Sequence, residues 1–200
     1  PEYVRQLQKT WAVLRADIQR IAGFVREFES FSTLTPEVLD VGCGAGRAAD
    51  LFDGDWRYFG VESSQALIDI CRNDGLSIRK GSIFNIPEKD GDFPFVLCHA
   101  VLCHLGDVPA AISELWRVTK PGGRLVYSCY WKWSPFHRGV EPVWVDLPES
   151  GGGVFQPKNL IPRWMVKRQA AKLQPNPKKR QVIFTYGETG PDDRLAYVVI

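Results

Sequence analysis

The segment Val38-Leu39-Asp40-Val41-Gly42-Cys43-Gly44-Ala45-Gly46-Arg47 constrains the fold more than any other part of the chain. A short apolar run ends in an acid, and glycines follow at alternate positions. The run has the composition of a strand buried on both faces. The glycines mark a tight turn, because glycine enters backbone regions closed to other residues and leaves room where a Cβ would stand. Arg47 to Phe52 then reads as the start of a helix, with free N–H groups at the turn. Strand, glycine turn and helix in that order predict an α/β fold with a nucleotide-like pocket at the turn. A dinucleotide loop, G-x-G-x-x-G, spaces its third glycine differently and faces a pyrophosphate. Taken alone, the motif also fits a turn that binds nothing.

Further runs extend the pattern. Tyr58-Phe59-Gly60-Val61-Glu62 is a second apolar run ending in an acid, and in a doubly wound sheet an acid there reaches ribose hydroxyls. Ser64 can cap the helix that follows. Ile78 to Ile83 predicts a third strand and its end, and Phe93 to His99 a fourth. Between Ala110 and Tyr130 lie an amphipathic helix, the turn Lys120-Pro121-Gly122-Gly123 and a fifth strand, Arg124 to Ser128. Gln181 to Tyr186 and Leu195 to Ile200 read as two strands joined by a Gly/Asp turn.

As an ordered series, residues 36 to 130 resemble the class I methyltransferases that use S-adenosylmethionine (SAM). The resemblance implies an α/β fold: a doubly wound, seven-stranded mixed sheet, mostly parallel, with its last strand antiparallel and helices on its flanks. It implies SAM as cofactor. The implied contacts come from Asp40, Gly42, Cys43, Gly44, Gly46 and Arg47 in the glycine loop, and from Glu62, Ser63 and Leu67 after the second strand. Ser82 and Ile83 after the third strand and Cys98 and His99 at the end of the fourth complete the set. SAM carries no phosphate, and its cationic amino group and sulfonium favour a carboxylate such as Asp40. The chain departs from the family at Ser82 and Pro94, where acids are common. Pro175 and Pro177 replace the usual Ala-Gly-Phe before the last hairpin.

Methyl transfer is a displacement at carbon, so holding the acceptor in line supplies most of the rate. A general base is needed only for an acceptor with a proton of high pKa. His99 is the leading candidate, because the family's fourth strand ends beside the transferred methyl. His104 and His137 are the others. An unshifted imidazole in that role would make turnover fall with pH near about 6.5. The pairs Cys98-His99 and Cys103-His104 lack zinc-ligand spacing and read as core residues, so no metal is expected.

Four regions follow: a helical cap over 1–34, the SAM core over 35–130, a variable substrate loop or lid over 131–157, and a helix with a strand hairpin over 158–200. In the cap, Val4, Leu7, Trp11, Leu14, Ile18, Ile21, Val25 and Phe28 form a stripe at helical spacing, with packing on the sheet's flank as the expectation and a coiled-coil dimer less favoured. The loop carries Trp131, Trp133, Phe136, His137, Arg138 and Trp144 before a triple glycine, a composition suited to a binding loop or lid.

The formal net charge of +2 is unevenly spread: Lys158, Arg163, Lys167, Arg168, Lys172, Lys178, Lys179 and Arg180 lie in a stretch without acids, and the rest of the chain is net negative. That stretch fits RNA phosphates or an anionic substrate, or else a solvated helix face. The 5 cysteines fall in or beside expected core elements, which argues for reduced thiols and a cytoplasmic setting. No apolar stretch approaches the roughly 20 residues that span a bilayer, and no secretory signal is visible. A small-molecule methyl acceptor is the leading expectation, with an oxygen or nitrogen nucleophile. An RNA acceptor is the second, helped by a likeness around Leu67 to Gly75 and Cys98 to Leu105 to tRNA wobble-uridine methyltransferases. A non-catalytic partner subunit of the same fold is the third.

Overall fold

The computed structural model describes residues 11–30, 32–34, 36–52, 54–132, 144–145, 153–154, 161–184 and 195–200. Its strands are β1 (Glu37–Val41), β2 (Arg57–Glu62), β3 (Ser77–Lys80), β4 (Phe93–Cys98), β5 (Thr119–Lys132), β6 (Trp144–Val145), β7 (Gly153–Val154), β8 (Ile161–Pro162), β9 (Gln181–Phe184) and β10 (Leu195–Val199). Among the described residues four α-helices accompany them: α1 (Trp11–Glu29), α2 (Gln65–Asn73), α3 (Val108–Val118) and α4 (Arg163–Leu173). The main sheet runs β3-β2-β1-β4-β5-β10-β9. Its first five members are parallel, and β10 runs antiparallel to both β5 and β9. This is the expected seven-stranded mixed sheet. The short β8 adds beside the end of β5, and β6 pairs with β7.

Alternation along the strands sorts two apolar layers. Leu39, Val41, Val96, Leu125 and Tyr127 face Ala111, Ile112 and Leu115 of α3 and Val166 and Ala170 of α4. Val38, Phe95, Leu97, Val126 and Tyr197 face Ile21, Phe24, Val25 and Phe28 of α1. Ile21, Val25 and Phe28 of the first helix's stripe therefore pack on the sheet's flank; Val4 and Leu7 and the side chains of Trp11, Leu14 and Ile18 lie outside what is described. Among the described residues no helix is long and apolar enough to cross a membrane.

Two local expectations are corrected. Arg47 to Phe52 does not start an α-helix: it forms a chain of turns with one 3-10 turn at Ala49–Leu51. The bonds run from Ala49 N–H to Gly46, Leu51 to Ala48 and Phe52 to Ala49. Left-handed glycines at 46 and 54 bracket this stretch and leave too few residues to propagate a helix. Ser64 does occupy the N-cap of α2, but its side chain makes no capping bond. The carboxylate of Glu62 instead accepts from the N–H groups of Ser63 and Ser64 at the entry to the helix. The Lys120–Gly123 turn is present as a bulge, because the register passes from Phe93 opposite Thr119 to Phe95 opposite Arg124. Gly123 is obligatory there, since a Cβ would lie 2.5 Å from the carbonyl oxygen of Pro94.

The chain steps outward from β1 to β2 and β3, then returns to place β4 on the other side of β1. That reversal opens a crevice beyond the carboxyl ends of β1 and β4, the usual ligand position in open α/β sheets. Arg117 of α3 ties down the connection from β3 to β4. Its guanidinium donates to the carbonyls of Ile86 (3.0 Å) and Glu88 (2.9 Å), to Asp90 (2.7 Å) and to both oxygens of Glu114 (2.7 and 2.8 Å). Glu114 in turn accepts from the Ile86 N–H at 2.8 Å. Each partner favours the other's charged form, so Glu114 titrates below and Arg117 above the ordinary range. Arg117→Ala should cost about 2–3 kcal/mol, reduced from a fully buried network by its partial exposure. Arg117→Lys should recover only a fraction, lacking the planar fork. Urea unfolding curves of the two variants check this.

Candidate functional site

The glycine loop sits at the crevice, and its glycines do different work. Gly42, Gly44 and Gly46 all have positive φ, 75°, 58° and 72°. A Cβ on Gly42 would meet Val101 Cγ2 at 2.4 Å, and one on Gly46 would meet Leu76 Cδ1 at 2.3 Å. These two positions are filled by neighbouring side chains. At Gly44 nothing lies within 4 Å. The open side of the loop is therefore at Gly44.

The loop's N–H groups are largely committed to the protein. Gly42 donates to the Val61 carbonyl at 2.8 Å, Cys43 to the same oxygen at 3.3 Å, and Gly46 to the Cys43 carbonyl at 2.9 Å. Gly44 N–H donates to Glu62 Oε2 at 3.0 Å. The other oxygen of Glu62 accepts from the N–H groups of Ser63 (2.8 Å) and Ser64 (3.0 Å). One carboxylate thus closes the end of β2 onto the loop and holds the entry to α2. A phosphate-binding loop offers free N–H groups to an anion. This loop offers two carboxylates and an open glycine, a setting for a cationic ligand without phosphate.

The second carboxylate is Asp40, only 3% exposed. Its Oδ2 accepts from the Tyr58 hydroxyl at 2.8 Å. Burial lifts its pKa from 3.8 to about 7, the Tyr58 bond opposes that, and the nearby Glu62 charge adds to it. Beneath the loop, the Cys71 thiol donates to the Gly44 carbonyl at 3.2 Å, and Cys43 packs against Gly60 and in one cluster with Ile68, Cys71 and Ile78. Burial raises both thiol pKa values, so both stay protonated.

The remaining expected residues spread along the same edge. Leu67 is buried in α2, and Arg47 is half-buried. Ser82 is exposed, and its Oγ accepts from the Phe84 N–H at 3.2 Å, while Ile83 is buried. Cys98 is buried in the layer under α3. His99 follows it, its Nδ1 3.0 Å from Ser128 Oγ and its ring stacked on Tyr197. Burial brings its pKa from 6.5 down to about 4. His104 ends the 3-10 turn Leu102–His104; it too is lowered by burial, and its Nδ1 has no hydrogen-bond partner among the described residues. His137 lies outside the described residues. Sequence reasoning missed Tyr58, Val101, Ser128 and Tyr197. Tyr58 was within reach of it, since Tyr58 and Asp40 share a sheet face once Asp40 is paired with Gly60. The other three are joined to the site only by pairing between distant segments.

Sheet order and switch-point loop define the class: the fold is that of the Rossmann-like, class I methyltransferases. Residues 39–127 match the methyltransferase domain family. An uncharacterized methyltransferase of Schizosaccharomyces pombe is 40% identical over 105 residues, covering 44% of this chain and 38% of that protein. The demethylmenaquinone methyltransferase of Symbiobacterium thermophilum is 29% identical over 130 residues, covering 58% and 51%. The chain thus spans about half or less of the length of these relatives. Among solved structures, SAM-bound CalS10, an amino pentose methyltransferase from Micromonospora echinaspora, superposes with a TM-score of 0.68 at 16% identity, covering 100% of this chain and 96% of that one. At that identity the likeness concerns the fold.

Proposed function

We propose that this protein transfers the methyl group of SAM to an oxygen or nitrogen nucleophile of a small molecule. When bound, SAM supplies an electrophilic methyl on a sulfonium. In this reading Asp40 and Glu62 face its cationic and ribose portions, and Gly44 leaves space for its close approach. Gly42 and Gly46 shape the loop, and Ser82 and Ile83 border the base. His99 and His104 line the acceptor side. The observation that carries a small acceptor is the cover beside the end of β4. Tyr197 stacks on His99 with ring centroids 5.9 Å apart, and Arg20 of α1 lies over the same tyrosine at 5.6 Å. A transfer end flanked by a helix and lined with rings suits a small molecule and orients it by contact.

RNA is the second reading, favoured by one surface. Helix α4 buries Val166 and Ala170 and leaves Trp164 60% and Met165 37% exposed, with Lys167, Arg168 and Lys172 on its outer side. Because β8 extends the end of β5, α4 starts at the same edge of the sheet as the crevice. Incubation with methyl-labelled SAM, separately over deproteinised metabolites and bulk tRNA, decides between them. Label in the low-mass fraction is the expected result. Label in tRNA, with binding that falls steeply as salt rises, would transfer the assignment to RNA. Label in neither, with SAM still bound by calorimetry, would favour the non-catalytic partner.

A further inference from the structure

A row of residues crosses three strands beyond the end of β4. Cys98 pairs with Tyr127 of β5, so His99 comes beside Ser128, and Ser128 pairs with Tyr197 of β10. Among the described residues Ala100 alone of the non-glycines has positive φ, 57°. Such a backbone persists where surrounding contacts impose it. Here the Ala100 N–H donates to Ser128 Oγ at 2.9 Å, and the same oxygen lies 3.0 Å from His99 Nδ1.

A serine hydroxyl has one hydrogen to give and two lone pairs. Ser128 is 1% exposed, and Ala100 N and His99 Nδ1 are its hydrogen-bond partners among the described residues. The Ala100 N–H occupies one lone pair. The hydroxyl hydrogen then has one acceptor, Nδ1, which must be unprotonated. A proton on Nδ1 would leave a buried O–H facing two donors and no acceptor, an arrangement disfavoured in folded proteins. The groups that meet His99 include Ser128 from β5, Tyr197 from β10 and, beyond that ring, Arg20 from α1. Burial brings the imidazole pKa down to about 4 and so disfavours an imidazolium.

We infer that Ser128 fixes His99 as the neutral Nε2–H tautomer, so that His99 meets the acceptor as a hydrogen-bond donor and not as a general base. The tautomer stands on the geometry; its use rests on the methyl-transfer reading above. Ser128 is then a positioning residue. The acceptor that suits such a site is a carboxylate, already without its proton near neutral pH. One carboxylate oxygen accepts from Nε2–H, and the other forms the new O–C bond as the C–S bond breaks and its electron pair stays on sulfur. No proton is moved.

Nitrogen-15 NMR of the labelled full chain, with His99 resonances assigned through His99→Gln, reads the tautomer directly. Protonated Nε2 and unprotonated Nδ1 are expected from pH 5.5 to 8. Ser128→Ala should admit the Nδ1–H form, and Ser128→Thr should restore the native pattern. An Nδ1–H signal in the native protein, or titration near the ordinary 6.5, overturns the inference. With a labelled carboxylate pool as acceptor, turnover should show no inflection at imidazole pKa values. His99→Ala should lower it about tenfold, the scale of one hydrogen bond, and His99→Gln should recover most of the loss. A loss of about two to four powers of ten with a new pH profile would make His99 a base after all. The Nε2–H tautomer together with full activity in His99→Ala would overturn the donor role and leave the assignment of SAM chemistry intact.

Discussion

Asp40→Asn should make the SAM-free protein more stable at pH 8 and at the same time abolish SAM binding. In the folded chain the Asp40 carboxyl holds its proton up to about pH 7, against 3.8 when unburied. The raised value fixes the sign. Below the unfolded pKa the group is neutral in both states and costs nothing. As pH rises from about 4 to about 7 the unfolded chain gains by ionising first, so this contribution to stability is lost through that window, on the order of 4 kcal/mol in all. Asparagine carries no such slope. Denaturation of native and variant proteins at pH 5 and pH 8 should therefore show the variant's advantage growing with pH. A cationic ligand acts oppositely, favouring ionised Asp40. SAM affinity of the native protein should thus rise with pH up to about 7, and binding below that should release a proton, measurable by calorimetry in buffers of different ionisation heat. A variant that still binds SAM with native affinity would remove Asp40 from the site.

Two neighbouring glycines should fail for opposite reasons. Gly44→Val places its side chain in open space, so the cost to folding is confined to left-handed strain, about 1–2 kcal/mol. It should nevertheless lower SAM affinity at least a hundredfold, because it fills the cradle. Gly46→Val carries the same strain and also drives a branched side chain into Leu76 and Cys71, so about 3–4 kcal/mol of stability should go. Circular dichroism melts and SAM titrations of the pair separate the two losses. Equal affinity in Gly44→Val and the native chain would place the cofactor elsewhere.

The sheet was legible because β1, β2 and β4 are largely apolar runs, while the polar β3 was placed by its position in the series. The last hairpin was legible for the same reason, at Gln181–Phe184 and Leu195–Val199. The turn region after Gly46 was misread, since helix propensity in Arg47–Leu51 says nothing of the two left-handed glycines that bracket it. Ser64 takes the N-cap position without the expected side-chain bond, and its own N–H is held by the Glu62 carboxylate two positions earlier. At the site, acids and glycines announce themselves by type and spacing. Ser128 and Tyr197 do not: an ordinary serine and tyrosine acquire meaning only once β5 and β10 are paired.

Strand β10 follows β9 in the chain yet lies between β5 and β9 in the sheet. The sheet therefore cannot assemble in the order of synthesis: β9 has no seat until β10 has been made. Until then β5 presents an unpaired edge through Val126 and Ser128, the kind of edge that invites wrong partners. The ring that stacks on His99 arrives on that same strand. A nascent chain stopped before Leu195 would hold its glycine loop, its two carboxylates and all of β1 to β5, and would still lack the ring that stacks on His99. Under the proposed reading, competence for methyl transfer is coupled to the closing of the sheet.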